Sequence, residues 1–369
     1  MGSILFSPLK LRGLELPNRI MVSPMGQYSA NEGSAGTWHM VHLGTMSVSG
    51  AGLLVIEATA VNPEGRLSPR DLGLWSDANE AALAPILDFC RKEGGARLGL
   101  QLWHSGRKGS VAVAWERQLA IPEERGGWTP FGASAIPYPN RTTPRALDAD
   151  GMRRVTQDYV AATRRADRLG IELLELHSAH GYLLHNFLSP LTNQRDDRYG
   201  GSLENRMRFP LEVFKAIRAA WPEHKPLGVR ISAVDWVEGG WEIDDSIAYA
   251  SALKALGCDY ITASSGGAVP EQKIKPVPGY QVPFAESIRR ATGICTVAVG
   301  LITEARQAEE ILASGKADLV ALGRRMLYNP RWPWHAAVEL GEEFYYPKQY
   351  ERSHPSMQGG DFLRPARNM

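Results

Sequence analysis

Residues 227–264 read Leu-Gly-Val-Arg-Ile-Ser, then Ala-Val-Asp-Trp-Val-Glu-Gly-Gly-Trp-Glu-Ile, then Asp-Asp-Ser-Ile-Ala-Tyr-Ala-Ser-Ala-Leu-Lys-Ala-Leu-Gly, and finally Cys-Asp-Tyr-Ile-Thr-Ala-Ser. The segments 227–232 and 260–264 are short, β-rich and apolar at nearly every position. Between them a helical period opens at Asp244 or Asp245, reaches Leu256 and stops at Gly257, a polar start and a glycine stop. Strands apolar on both faces belong to parallel sheets, and parallel neighbours need a crossover helix. The stretch therefore reads as strand, helix, strand.

The same alternation recurs along the chain. Further apolar runs stand at 20–23, 53–57, 98–103, 172–177, 296–299 and 319–322, which with the first two makes eight. Asp77-Ala-Asn-Glu80 opens a helix to about Lys92, with Gly94 and Gly95 as the stop. Asp150 precedes an amphipathic run to Leu169, ended by Gly170. Ser202 starts one that reaches Trp221, and Thr303 opens one that ends near Gly315. Eight strands with a helical segment between most of them predict an α/β fold, a (β/α)8 TIM barrel. A doubly wound open sheet is weaker, because no Gly-x-Gly-x-x-Gly turn follows an early strand. Residues 105–148, with Pro122, Pro130, Pro137, Pro139 and Pro144, form an excursion after the third strand too long for an ordinary loop and are expected to be a lid or capping insertion. The chain thus divides into one barrel over 1–345 and a tail over 346–369 that packs on a neighbouring subunit or stays disordered.

Composition limits the function classes. The 41 Lys+Arg nearly balance the 40 Asp+Glu, which removes the electrostatic case for nucleic-acid or anionic-membrane partners. Three scattered cysteines, Cys90, Cys258 and Cys295, argue against a disulfide framework. No signal peptide or spanning run is read, so the expected location is cytoplasmic.

Barrel chemistry collects where strands finish, and those ends are polar here: Pro24-Met25-Gly26-Gln27-Tyr28, Glu57-Ala58, Gln101 with His104, Arg107 and Lys108, His177-Ser-Ala-His180-Gly-Tyr182, Arg230, Ser264-Ser265, Gly300 and Gly323-Arg324. His177 and His180 fall short of the three protein ligands a catalytic zinc takes, and no carboxylate has ligand-like spacing, so no metal is expected. They are either satisfied structural imidazoles or two donors that polarise a carbonyl. Tyr182 is a packing residue or a proton donor. Gly300, Gly323 and Arg324 suit a phosphate, whose usual place in this fold is after the last two strands. Arg230, on an otherwise apolar strand, needs an anionic partner.

Taken together and in order, Pro17-Asn18-Arg19-Ile20, Ser23-Pro24-Met25, Glu57-Ala58, Gln101-x-x-His104-x-Gly106-Arg107-Lys108, His177-x-x-His180-Gly181-Tyr182, Arg195-x-Asp197-x-Tyr199-Gly200-Gly201-Ser202-x-Glu204-Asn205-Arg206, Val229-Arg230 and Gly323-Arg324 resemble the old yellow enzyme family of FMN-dependent ene-reductases. Residues 278–282 and 349–352 look like its bacterial, thermophilic-like subgroup. The resemblance implies bound FMN, with Ser23, Pro24, Met25 and Gly26 along the flavin ring and Ala58 and Gln101 at its polar edge. It places Arg230 near the ring's N1 and O2, and Gly300, Gly323 and Arg324 around the phosphate. It further implies NADPH, or NADH, as reductant and reduction of activated alkenes: α,β-unsaturated aldehydes, ketones, nitroalkenes or maleimides. His177 and His180 would hold the activating group, Tyr182 would give the proton, and Tyr28 would touch substrate. Arg352 would reach an adjacent subunit in a homodimer or homotetramer. One departure is Gly26, where the subgroup usually has cysteine. The rival reading is a flavin-free barrel lyase or isomerase acting on a phosphorylated substrate, with Lys108 as its only obvious site lysine.

Overall fold

In a computed structural model, which describes residues 2–117, 119–344 and 346–353, all eight runs are strands of one closed parallel barrel. They are β1 (Ile20–Val22), β2 (Leu53–Ala60), β3 (Arg97–Trp103), β4 (Leu173–Ser178), β5 (Leu227–Ser232), β6 (Tyr260–Ser264), β7 (Cys295–Ala298) and β8 (Leu319–Leu322). Neighbours in sequence are neighbours in the ring, and β8 pairs back onto β1 through Val320–Ile20, Ala321–Met21 and Leu322–Val22. The (β/α)8 barrel is the fold of this chain.

One helix of the outer ring follows each strand: α1 (Thr37–Ser47), α2 (Asp77–Glu93), α3 (Ala149–Arg168), α4 (Leu203–Ala220), α5 (Ile243–Ala255), α6 (Val282–Thr292), α7 (Ala305–Ala313) and α8 (Trp332–Leu340). The caps refine the sequence reading. Ser76, not Asp77, caps α2 by accepting from the Asn79 N–H. Asp148, not Asp150, caps α3, its Oδ1 taking the Gly151 N–H at 2.7 Å. Ser202 caps α4 as expected, and the Asp245 carboxylate accepts the Glu242 N–H at the start of α5. Thr303 lies two residues before α7, its N–H tied to Gln307.

The two ends of the barrel differ. At the N-terminal end of the strands an antiparallel hairpin, Leu9–Leu11 with Leu14–Leu16, packs Leu11, Leu14 and Leu16 against Leu53, Leu173, Tyr260 and Leu319, the first residues of four barrel strands. Burying each of those leucines contributes about 2 kcal/mol of transfer free energy. The hairpin therefore plugs that end. The sequence reading had no element there. The opposite end carries the strand-to-helix loops, among them the described part of residues 105–148. They hold three single-turn 3-10 segments and the short strand pair Phe131–Gly132 with Arg145–Ala146. Arg107 fastens them by donating to the carbonyls of Ile136, Pro137 and Ala268.

Among the described residues no helix is long and apolar enough to cross a membrane. No group of three or more histidine, cysteine or carboxylate side chains there is placed to hold a metal.

Candidate active site

Two adjoining cavities open at the C-terminal ends of the strands. The first is lined by Pro24, Gly26, Tyr28, Glu57, Ala58, Asp71, Gln101, Trp103, His177, His180, Tyr182 and Arg230. The second includes Ser23, Pro24, Met25, Ser264, Ser265, Gln281, Gly300, Gly323, Arg324 and Arg325. Pro24, His180 and Arg230 border both. The structure thus brings together every residue that the resemblance assigns to flavin or substrate except Arg352, while His104, Arg107 and Lys108 border neither cavity. Arg352 is exposed on the C-terminal turn Lys348–Ser353 and borders neither cavity. The remainder of the predicted tail, 354–369, lies outside the described residues.

Register explains the convergence. Gln101 stands opposite Ala58 on one side and Glu175 on the other, and Arg230 stands between His177 and Thr262. Beneath the mouth, Glu175 accepts from Gln101 Nε2 at 2.7 Å and from Thr262 Oγ1 at 2.5 Å. Burial raises the Glu175 pKa, against the pull of the Arg230 guanidinium. The guanidinium's own pKa is lowered by burial and partly restored by Glu175. A β-bulge between Ile56 and Ala58 leaves Glu57 unpaired in the ladder. Bulges beside sites re-aim a side chain. Here the Glu57 carboxylate accepts the Gln27 N–H at 2.7 Å, anchors the loop after β1, and lies 3.3 Å from His39 Nε2.

The catalytic candidates occupy the end of β4 and the loop after it. Rings of His177, His180 and Tyr182 lie within one cluster, His177 being 5.1 Å from each of the other two, and Trp103 stands edge-on to Tyr182 at 4.5 Å. Trp103 is thus a wall of the site. Burial drives both histidine pKa values well below 6.5, with the Arg230 charge adding to it, so both imidazoles are neutral. Burial also raises the Tyr182 pKa, which keeps the phenol protonated. His180 has φ +59°, in the left-handed region where a non-glycine residue is uncommon. Its backbone is held there from two sides: its N–H donates to Ser232 Oγ at 2.9 Å, and Lys108 Nζ donates to its carbonyl at 2.8 Å. Lys108 also reaches the Gly267 carbonyl at 2.5 Å, and burial followed by the Arg141 and Arg107 charges lowers its pKa to about 7. It is committed to two loops and borders neither cavity, which leaves it poorly placed as a lyase base.

The second cavity is bordered by glycines and arginines. Gly300 has φ +117°, and a Cβ on Gly323 would project toward Met25 Sδ and Ser23 Cβ at 3.6 and 3.8 Å. Arg324 and Arg325 border the same space. The sequence reading assigned no role to Gln281, Ser264, Ser265, Asp71 or Arg325. Asp71 is a turn residue: its carboxylate accepts from the Leu67 and Ser68 N–H groups and the Ser68 hydroxyl.

A family profile described as "NADH:flavin oxidoreductase / NADH oxidase family" matches residues 4–343. The chain belongs to that family. It is an NAD(P)H:flavin oxidoreductase of old yellow enzyme type with FMN as cofactor and NAD(P)H as reductant. It is 46% identical over 355 residues to an NADPH dehydrogenase of Geobacillus sp. (strain WCH70), covering 95% of this chain and 99% of that one. Among solved structures it is similar to morphinone reductase, with a TM-score of 0.78, 29% identity and coverage of 97% and 93%. The old yellow enzyme homologue from Zymomonas mobilis gives 0.76, 27%, and 93% and 94%. The residues present fit the cofactor. Ser23 Oγ, Arg230 Nε and Arg325 Nε are buried without a protein partner, and such atoms carry a desolvation cost until something bonds them. They border the two joined cavities that a ring-plus-phosphate ligand would span.

Proposed function

We propose that this flavin oxidoreductase is an ene-reductase, acting on α,β-unsaturated aldehydes, ketones, nitroalkenes or maleimides at the first cavity. The observation that carries the reading is the convergence of two neutral imidazoles, one protonated phenol and one guanidinium on a cavity that shares Pro24, His180 and Arg230 with the second, arginine-bordered one. FMN, when bound, supplies the hydride that it takes from NAD(P)H and that the alkene receives at its β-carbon.

The protein's own residues supply the rest. Gly300, Gly323 and Arg324 hold the phosphate, and Ser23, Pro24, Met25, Gly26, Ala58 and Gln101 hold the ring. Arg230 offers a fixed positive charge to the end of the ring that becomes electron-rich. His177 and His180 hydrogen-bond the substrate's electron-withdrawing oxygen, stabilising charge that grows only in the transition state. Tyr182 delivers its proton to the α-carbon, and Tyr28 contacts the substrate. Residues 105–148 serve as the lid. Trp115, which they carry, meets Tyr28 edge-on at 5.9 Å. Arg352 reaches a neighbouring protomer of a homodimer or homotetramer, which size-exclusion mass would test.

The primary test is an absorbance spectrum of the purified protein, then anaerobic NADPH, then 2-cyclohexenone. A flavin band that bleaches with NADPH and returns with the enone is expected. A band that bleaches but does not return would end the ene-reductase reading and leave the oxidoreductase.

Two variants probe the cofactor side. Arg324→Ala is expected to weaken FMN binding by about 10- to 100-fold, since one charge-assisted phosphate contact is lost. Flavin fluorescence titration of the apoprotein measures it, and unchanged affinity would remove Arg324 from the phosphate site. Gly26→Cys should fold normally, because a Cβ there meets nothing nearer than the Tyr28 ring at 3.8 Å. The added thiol is expected to shift the flavin midpoint potential and the preference among enones. Equal midpoints for the variant and its parent would show that position 26 does not tune the ring.

A further inference from the structure

The hydrogen bonds around His177 and His180 run in one direction. The Ala179 N–H donates to His177 Nδ1 at 3.2 Å, so the proton of this neutral ring is on Nε2. That nitrogen faces His180 Nδ1 at 3.2 Å. His177 is the donor of this pair, so His180 Nδ1 accepts and the His180 proton is on Nε2. His180 Nε2 in turn lies 2.7 Å from Ser264 Oγ. The serine hydroxyl accepts from it and turns its own hydrogen toward Gln281 Oε1, a long contact of 3.4 Å. Gln281 Oε1 already takes the Ser265 hydroxyl at 2.7 Å, and its amide nitrogen donates to the Val299 carbonyl at 3.2 Å.

This arrangement satisfies the resting enzyme and disarms it. The His180 Nε2–H is spent on Ser264, and the N–H of His177 is spent on its neighbour. A carbonyl oxygen entering between the rings would meet that N–H and the bare lone pair of His180 Nδ1, one attraction and one repulsion. Two donors require His180 to carry its proton on Nδ1. Its Nε2 then needs a donor, and the one side-chain group bonded to it, Ser264 Oγ, is a hydroxyl able to fill either role.

We propose that His180 changes tautomer when substrate binds, from Nε2–H in the resting enzyme to Nδ1–H in the complex. The Ser264 hydroxyl accommodates both forms, accepting from Nε2–H in the first and donating to Nε2 in the second. The change needs no net proton: Nδ1 gains one from solvent and Nε2 returns one, leaving hydrogen count and charge unaltered. The serine gives up only its long contact to Gln281, whose oxygen keeps Ser265. Ser264 is thereby a positioning residue that acts through His180. The proposal rests on the reading that the histidine pair grips the substrate's oxygen.

The experiment is nitrogen NMR of the FMN-loaded protein labelled with 15N at histidine, without NADPH, before and after saturation with 2-cyclohexenone. Protonated and bare ring nitrogens resonate far apart, so each tautomer is read directly. The expected result is Nε2–H for free His180 and Nδ1–H in the complex. In Ser264→Ala the free ring should keep Nε2–H, which the His177 N–H still imposes, while in the complex the bare Nε2 loses its donor and both nitrogens are expected to move to intermediate shifts. Parental shifts in the complex of that variant would remove Ser264 from the proposal. A His180→Asn variant supplies an amide N–H with no tautomer to change, on a residue type that tolerates the left-handed backbone. It should bind the enone within about threefold of the parent, against a loss of about tenfold for His180→Ala, the cost of one good hydrogen bond. If His177→Ala and His180→Ala both bind the enone like the parent, the gripping role itself is wrong. If they bind weakly while His180 keeps Nε2–H in the complex, the grip stands and the tautomer change is refuted.

Discussion

Tyr182→Phe is expected to slow alkene reduction by about 10²- to 10⁴-fold, the range for a lost general acid, while bleaching by NADPH proceeds at the parental rate. The substitution removes one oxygen and leaves the packing. The ring would still meet Trp103 edge-on at 4.5 Å and His177 at 5.1 Å, and Lys108 Nζ would remain near its face, now 5.4 Å from the centroid. No structural disturbance therefore competes as an explanation. What goes is a proton held on a buried phenol whose pKa is raised by that burial. Such an acid does not ionise in the resting site and gives up its proton only to a strongly basic carbon. Stopped-flow measurement of the two half-reactions separates the effects: the NADPH phase should be unchanged and the enone phase slow. Equal enone phases in variant and parent would remove Tyr182 as the donor.

The eight strands were legible because each is buried on both faces, and burial on both faces writes a continuous apolar run into the sequence. Boundaries for β5, β6 and β8 agree to the residue, while β2 runs three residues past Glu57 because its bulge restarts pairing at Ala58. Helices were legible where they are amphipathic and capped, as in α3 and α4. Helix α1 was not. Its buried side carries His39, Gly44 and Ser47 along with Leu43 and Met46, while Trp38 and Val41 are exposed, so no apolar stripe marks it. Helix α6 follows a glycine- and proline-punctuated stretch that looks like loop throughout.

The site divides along the same line. Residues at strand ends could be found by position alone, because the barrel sends its strand termini to one mouth. Gln281 could not, since it stands at the start of the unread α6 and reaches the mouth only through tertiary packing. Asp71 was likewise hidden, and the strand-end position of Glu57 did not disclose the bulge that turns it toward Gln27. A turn carboxylate and a bulged residue acquire their place from backbone irregularity, which has no period to read. The direction of the His177–His180–Ser264 chain depends on one backbone N–H at Ala179, a detail of loop conformation beyond any residue pattern.

Acid should destabilise this protein through histidines that the fold keeps neutral. Burial lowers the His104 pKa to about 3, and those of His177 and His180 fall well below 6.5. His104 and His177 are buried, and His180 is partly buried. A group whose folded pKa lies below its unfolded value contributes stability that is complete above the unfolded value, near 6.5, and drains away as pH falls toward the folded one, because only the unfolded chain takes up the proton. Asp71 works the other way. Its pKa is raised by burial to about 6, so between pH 6 and 4 the folded state binds a proton that the unfolded state does not, and stability rises as pH falls. Glu175, also raised by burial, adds to that opposing side nearer the ordinary carboxylate range. Between pH 7 and 5 the histidines prevail: His42, its pKa lowered by burial to about 4, joins the other three, and these uptakes by the unfolded chain outnumber Asp71 and leave a net loss of stability. Against a domain stability of about 5–15 kcal/mol, that loss is a visible displacement of the urea midpoint. Unfolding series at pH 7, 6 and 5, with FMN in fixed excess, measure it. His104→Asn keeps an acceptor for the Gly106 N–H, which His104 Nδ1 now takes at 3.0 Å, and carries no titrating ring. It should flatten the pH dependence by about one proton's worth, roughly 1.4 kcal/mol per pH unit near pH 5, whatever its cost at pH 7. A parental midpoint that does not move between pH 7 and 5 would mean that the buried imidazoles take up protons in place, and with them the neutrality on which the histidine grip depends would fall.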